Sequence, residues 1–298
     1  MEKALNKMKI YRNINFTLVI SHIIITIVIL RLYVKYAYAD FGMFMKENST
    51  LIWIIYFLSI LIVVIIMSYN KKQYQKEFMN EVANNICSKY ITDIRIEKDY
   101  GFQKKYLDTL RILDAGSDYK PKAVLSGSIN SLPIMIGEML CQREIKMRDT
   151  TQKVVTFKGY LCETRINKNI PGEITINLKE PQDNNIFFSN ISKQNNNSNE
   201  FIIENQLIKE KFRITTTNKE YCNTFFTPDV LGILLSFEKY MKYNYTILIQ
   251  GNRFLIKVSN PSYIFNISIL QSPKKSIEIL EKNISMLSLL INNLRDKL

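Results

Sequence analysis

Between Leu51 and Tyr69 the chain reads LIWIIYFLSILIVVIIMSY, without one charged residue. A helix rises 1.5 Å per residue, so about 20 such residues cross the ~30 Å hydrocarbon layer of a bilayer. The run therefore predicts a membrane-spanning helix. An earlier run, INFTLVISHIIITIVIL from Ile14 to Leu30, is shorter and is interrupted by Asn15, Ser21, His22 and Thr26. It spans if Arg31 and Lys35 extend to the interface while Tyr33, Tyr36 and Tyr38 sit at headgroup level. Lys71, Lys72 and Lys76 follow the second run directly, and basic flanks stay on the cytoplasmic side. The pattern predicts a two-helix hairpin with both termini and the main domain in the cytoplasm. The three lysines are then expected at the membrane surface. Lys3, Lys7, Lys9 and Arg12 with Ala37-Tyr38-Ala39 also imitate a cleaved signal peptide, but Arg31 and Lys35 between run and site argue against it.

Beyond the second run, Tyr74, Phe78, Val82, Ile86 and Tyr90 recur every fourth residue, which keeps one apolar stripe along a helical stalk. From Ala123 the pattern becomes short apolar and β-branched stretches, KAVLSGSI, LPIMIGEMLC, KVVTFKGYLCETRI and EITINLKE, punctuated by Gly127, Pro133, Gly159 and Pro171-Gly172. These predict antiparallel strands. SNISKQNNNSNE, Ser189 to Glu200, predicts a loop. FIIENQLIKEKFRITTT opens a second strand-bearing half, and Thr227-Pro228-Asp229 is a helix start. NYTILIQGNRFLIKVSN carries two apolar runs around Gly251-Asn252, a hairpin signal, and YIFNISIL suggests one more strand.

At the C-terminus Ile277, Leu280, Ile284, Leu287, Ile291, Leu294 and Leu298 alternate at spacings of three and four. Such a seam suits a parallel two-stranded coil and hence a homodimer. Ile279, Met286, Leu289 and Leu290 widen the stripe, as in a helix that packs on its own domain; the pattern leaves both outcomes open. The fold class expected is α+β: two transmembrane helices, then an antiparallel sheet with packed helices and a long C-terminal helix. In residue ranges this is a hairpin over 1–70 with helices at about 14–34 and 50–69, and a stalk over 71–98. A first half follows over 99–188, the Asn-rich loop over 189–200, a second half over 201–272 and the amphipathic helix over 273–298.

Charge narrows the partners. The formal net charge is +13, from 40 basic and 27 acidic residues in 298. The surplus is spread thinly, with no Arg-rich run, no Cys/His finger and no aromatic RNA-binding signature, which disfavours nucleic acid. The lipid bilayer and a protein partner of unspecified identity remain. Cys87, Cys141, Cys162 and Cys222 form no CxxC pair and read as reduced cytoplasmic thiols. The single histidine, His22, lies in the first apolar run without a second ligand at metal spacing, so no metal or other cofactor is expected. An ionisable group there suggests a relay by default. With no charged residue nearby inside the membrane, an interhelical hydrogen bond or simple tolerance is the expectation.

One stretch imitates catalytic chemistry. RILDAGSDYK, Arg111 to Lys120, places two apolar residues before Asp114-Ala115-Gly116-Ser117, close to the loop by which aspartic peptidases present a carboxylate. Val230-Leu231-Gly232 imitates the apolar-apolar-Gly element of the dimeric retroviral type. Two carboxylates must then approach closely enough to share a proton, so Asp114 would act in a dimer. Against this, Ala115 lacks the hydroxyl that normally braces the loop, and Gly232 falls inside a predicted helix. Asp114, Gly116, Ser117, Asp118 and Pro121 are also turn formers. The leading expectation is therefore a non-enzymatic binding or scaffolding domain held at the membrane; the alternative is a membrane-bound aspartic peptidase using Asp114.

The order of motifs is also familiar. GSDY precedes a strand with SGSIN; then come IGEMLCQ, TFKGYLCETRINK with PGEITI, FRITTTNKEYCNTFFTP before a helix, and RFLIKV before YIF. Over residues 90 to 270 this resembles a bacterial family catalogued as domain of unknown function 3137. Phe265-Asn266 departs from the Phe-Glu expected near the last strand. The resemblance implies a membrane-anchored α+β domain without an established activity, and it transfers no catalytic residue.

Overall fold

The computed structural model describes residues 1–36, 49–147, 150–179, 199–260, 262–295 and 297. The loop between the two apolar runs, the Asn-rich loop up to Ser198, and Leu298 lie outside the described residues. The chain divides into two compact units, Met1–Val82 with Ser268–Lys275, and Ala83–Ile267 with Ser276–Leu298.

In the first unit α1, Glu2–Tyr36, and α2, Ser49–Glu77, are the two apolar helices. Both are long and apolar enough to cross a membrane, and little of either apolar stretch is buried. Their pairing is antiparallel and in register. Lys7 Nζ lies 2.7 Å from Glu77 Oε1, Asn70 donates its side-chain amide to Asn15 Oδ1 at 2.8 Å, and the Thr26 and Tyr56 hydroxyls meet at 2.8 Å. The stripe from Tyr74 through Phe78, Val82 and Ile86 is buried as its spacing predicts. The helix does not continue to residue 98, however. A π-helical turn, Phe78–Ala83, and the short α3, Asn84–Cys87, end it, and β1 follows at Thr92–Lys98. Ile94 and Ile96 alternate with Asp93, Arg95 and Glu97, so period two replaces period four before the expected stalk is complete.

The second unit is α+β with an open antiparallel sheet. After β1 come α4 (Lys104–Leu107), β2 (Asp118–Ile129), β3 (Leu132–Met147) and β4 (Thr150–Leu178). Then follow β5 (Glu200–Phe201), α5 (Gln206–Lys211), β6 (Phe212–Thr216) and α6 (Lys219–Phe225). The last elements are α7 (Pro228–Tyr240), β7 (Tyr245–Ser259) and α8 (Pro273–Arg295). The strand order is β1-β2-β3-β4-β6-β5, and β7 pairs β4. Asn130 and Ser131, both at positive φ, close the β2–β3 turn.

The Gly251-Asn252 signal is a real reversal. An extended run from Asn244 to Ser259 would cover about 50 Å, yet the Ser259 amide donates to the Asn244 carbonyl at 2.8 Å. β7 therefore folds back at Gly251, whose φ of +59° suits glycine. One arm pairs Gly159–Arg165 of β4 and the other pairs Ile170–Asn177, with β4's register broken between them and Gly172 at φ +92°. Because the two arms of β7 lie side by side and pair different stretches of β4, β4 reverses as well, between Arg165 and Glu173, and the break expected at Pro171-Gly172 falls in that reversal.

Successive residues of a strand face opposite sides, and both faces of the sheet are covered. On one, Phe102, Leu107, Leu110, Ile112, Leu113 and Ala115 pack on Met139, Cys141, Phe157, Leu161, Leu248 and Leu255. On the other, Tyr160 donates to Asn283 Oδ1 of α8 at 2.7 Å, both groups buried. α7 starts as predicted: the Thr227 hydroxyl accepts from the Val230 amide, with Pro228 in the first turn. YIFNISIL is not a strand. The amides of Ile264, Phe265 and Asn266 bond to the Glu138 carboxylate instead of a neighbouring strand.

Candidate functional site

Asp114 sits in a turn built by its own side chain. Oδ1 accepts the Gly116 amide at 2.9 Å, Oδ2 pairs with Arg143 at 2.7 Å, and its backbone carbonyl accepts the Thr156 hydroxyl. Ser117 Oγ accepts the Glu144 amide at 3.1 Å. The carboxylate is thus occupied by an amide and a guanidinium. Gly232 lies within α7, where a Cβ would meet nothing within 4 Å, so Val230-Leu231-Gly232 braces no loop.

The C-terminal seam is turned inward. Leu280, Ile284, Leu287, Ile291 and Leu294 are buried within the single chain, together with Leu290, while Ile277 is half-buried. Pairing through these residues would require α8 to leave the sheet.

Three polar groups of the second unit escaped the sequence reading. Glu138 of β3 is 1% exposed, and its carboxylate accepts three successive amides: Ile264, Phe265 at 2.8 Å and Asn266 at 2.9 Å. Burial pushes its pKa up to about 7, against the opposing pull of those amides. Lys257 donates to the Ile112 carbonyl at 2.7 Å beneath the segment that covers the sheet, and burial lowers its pKa to about 8. Tyr106 donates to Glu163 at 2.7 Å, and Arg253 bonds both groups and stacks over the Tyr106 ring. Each cluster satisfies itself and ties the 99–117 segment or the 264–266 segment to the sheet. Spacing along the sequence carried no signal for these partners, which are 90 or more residues apart in most pairs. Among the described residues no group of three or more His, Cys, Asp or Glu could hold a metal. The four cysteines are free and buried, and burial raises every one of their pKa values.

The feature with the geometry of an interface is the helical hairpin. Its outward surface carries Ile20, Ile23, Ile24, Ile27 and Val28 on α1 and Ile54, Ile55, Phe57, Leu58 and Leu61 on α2, all exposed. Contiguous apolar surface on this scale marks a membrane or protein contact. Antiparallel pairing brings the start of α1 beside the end of α2, so Lys3, Lys7 and Lys9 join Lys71, Lys72 and Lys76 as exposed cations at one end. The N-terminal lysines were legible as a basic start; their place beside the three lysines follows only from the pairing. Deeper in the hairpin, the His22 and Tyr56 rings stack at 5.4 Å, and Thr26 bonds both the His22 carbonyl and the Tyr56 hydroxyl. Of the four interruptions of the first apolar run, Asn15, His22 and Thr26 thus face the second helix, while Ser21 is exposed and donates to the Leu18 carbonyl of its own helix.

No curated protein matches the chain. The crystal structure of the mycobacterial trehalose monomycolate transport factor A, TtfA, is similar at 10% sequence identity, covering 72% of this chain and 96% of that chain with a TM-score of 0.37. A family model matches from Val155 in β4 through β7 to residue 296 after α8, starting later and ending later than the motifs had indicated. Residues 155–296, just under half of the chain, match the model of the family described as Protein of unknown function (DUF3137).

Proposed function

We propose that the chain is a membrane-anchored binding or scaffolding protein whose α+β domain works at the cytoplasmic surface of the bilayer. The carrying observation is the hairpin: two in-register helices with outward apolar faces and exposed lysines gathered at one end. The exposed apolar side chains of α1 extend from Ile14 to Leu30 and, past Arg31, to Leu32 and Val34, about 30 Å of helix in all, the thickness of the hydrocarbon layer. Lysines at one end favour that end staying inside and add about 1 kcal/mol each toward anionic headgroups. The second unit begins at Ala83, just past that basic end in sequence. Holding a domain at the bilayer raises its effective concentration toward partners confined to the same surface.

Binding rather than catalysis fits the way the buried ionisable groups are spent on the fold. Asp114 is held by Gly116 and Arg143, and neither arrangement presents it to a second carboxylate. The test is extraction of membranes from cells expressing the full chain. Retention in the pellet after alkaline carbonate supports the anchor, and release by carbonate or high salt overturns it. Asp114→Asn is expected to leave any casein or self-cleavage unchanged; loss of an existing cleavage would restore the peptidase reading.

A further inference from the structure

Beyond the two helices, the first unit contains a short piece of chain from far along the sequence, Ser268–Lys275, reading SILQSPKK. Its place along the hairpin is fixed by one bond: Tyr74 of α2 donates its hydroxyl to the Gln271 carbonyl at 2.7 Å. Asn70, paired to Asn15 and closely followed by Lys71 and Lys72, marks where the apolar surface gives way to polar residues. Tyr74 is one helical turn further, about 6 Å along the axis. The polar headgroup layer extends about 5–8 Å outside the hydrocarbon on each side. A segment bonded at the level of Tyr74 thus falls within that layer, if the hairpin spans as proposed above, the reading on which this inference rests.

The composition of the segment suits that depth. Leu270 is 70% exposed, whereas its neighbour Ile269 is buried. Lys274 and Lys275 are exposed a few residues on, in the first turn of α8. An exposed apolar side chain beside cations is the composition of an interfacial contact. Lys71, Lys72 and Lys76 lie on α2 on either side of Tyr74 in sequence, so the same level of the hairpin gathers cations from two distant parts of the chain.

We propose that Ser268–Lys275 is a third membrane contact, with Leu270 seated among the headgroups and Lys274 and Lys275 joining Lys71, Lys72 and Lys76 in a site for anionic phospholipid. The single tryptophan, Trp53, lies in α2 and is exposed, which supplies an internal control. The full chain is reconstituted in phosphatidylcholine vesicles with 30 mol% phosphatidylglycerol on the order of that in anionic membranes. Brominated acyl chains then quench Trp53 if the hairpin inserts. In a Trp53→Phe, Leu270→Trp variant, a headgroup-linked spin label is expected to quench the new indole at least twofold more than lipid brominated deep in the chain. Bromination placed on phosphatidylglycerol near the glycerol should quench it more than the same bromination on phosphatidylcholine. Adding Lys274→Glu and Lys275→Glu should bring that ratio close to one. An indole at 270 unquenched by any lipid, with Trp53 quenched in the parent protein, overturns the inference while leaving the anchor standing. So does a lipid ratio that the two substitutions leave unchanged. Trp53 unquenched by every lipid overturns the anchor itself.

Discussion

Gly116 and Asp114 show how the most suggestive residues of the sequence are used. A Cβ on Gly116 would lie 2.2 Å from the Gln142 carbonyl oxygen, at a φ of +61° that L side chains avoid. Gly116→Ala should therefore lower the melting temperature of the detergent-solubilised chain by at least about 4 °C, from roughly 2 kcal/mol of strain. Asp114→Asn keeps an oxygen for the Gly116 amide and loses only a partly exposed ion pair, so its shift should stay within about 3 °C. A catalytic Asp would instead show its loss in activity. Glu138 makes a prediction of its own sign. Its folded pKa is about 7 against an ordinary 4.5, so the folded state holds the proton more tightly. The stability associated with that proton is fully present below about pH 4.5 and is lost as pH rises through about 7, a change on the order of 3 kcal/mol. Glu138→Gln should flatten stability between those limits relative to the parent. It should also destabilise the chain by about 1–3 kcal/mol at pH 5, because an amide NH₂ cannot accept from a backbone amide. An unaltered pH profile in the variant would contradict the assignment.

Elements were legible where one period held for many residues and illegible where partners were remote. The apolar runs became α1 and α2, Thr227-Pro228 opened α7, and Gly251 turned β7, because composition, capping and positive φ are local properties. β1 was lost because the stripe through Ile86 extrapolates smoothly to Tyr90, while Ile94 and Ile96 give too short an alternation to announce a strand. YIFNISIL failed for a different reason: its apolar residues are buried as in a strand, but Glu138, more than 120 residues away, satisfies its amides. The C-terminal stripe was visible while its partner was not, since Asn283 meets Tyr160 across 123 residues. With Leu287 1% exposed in the single chain, Leu287→Ala should cost about 2–5 kcal/mol through the cavity it leaves. Sedimentation of the solubilised chain should be unaltered by the substitution. A shift from a larger species to a smaller one on Leu287→Ala would show the seam at work between chains instead.

At the scale of the whole molecule, the account rests on which side of a bilayer the α+β domain occupies. The hairpin pairing places Lys3, Lys7, Lys9, Lys71, Lys72 and Lys76 at one end, and the chain leaves that end for the second unit at Ala83. Charge reversal of Lys71, Lys72 and Lys76 to Glu should weaken the orientation without removing the apolar helices, so a fraction of molecules should invert. This predicts mixed rather than absent membrane insertion, read by protease access from the outer side. The most direct test is a C-terminal fusion of the unaltered chain to alkaline phosphatase in a bacterial host, compared with a fluorescent-protein fusion at the same residue. The account predicts a membrane-bound fusion that is fluorescent and has no phosphatase activity. An active phosphatase fusion with a dark fluorescent partner would place the domain outside and contradict it.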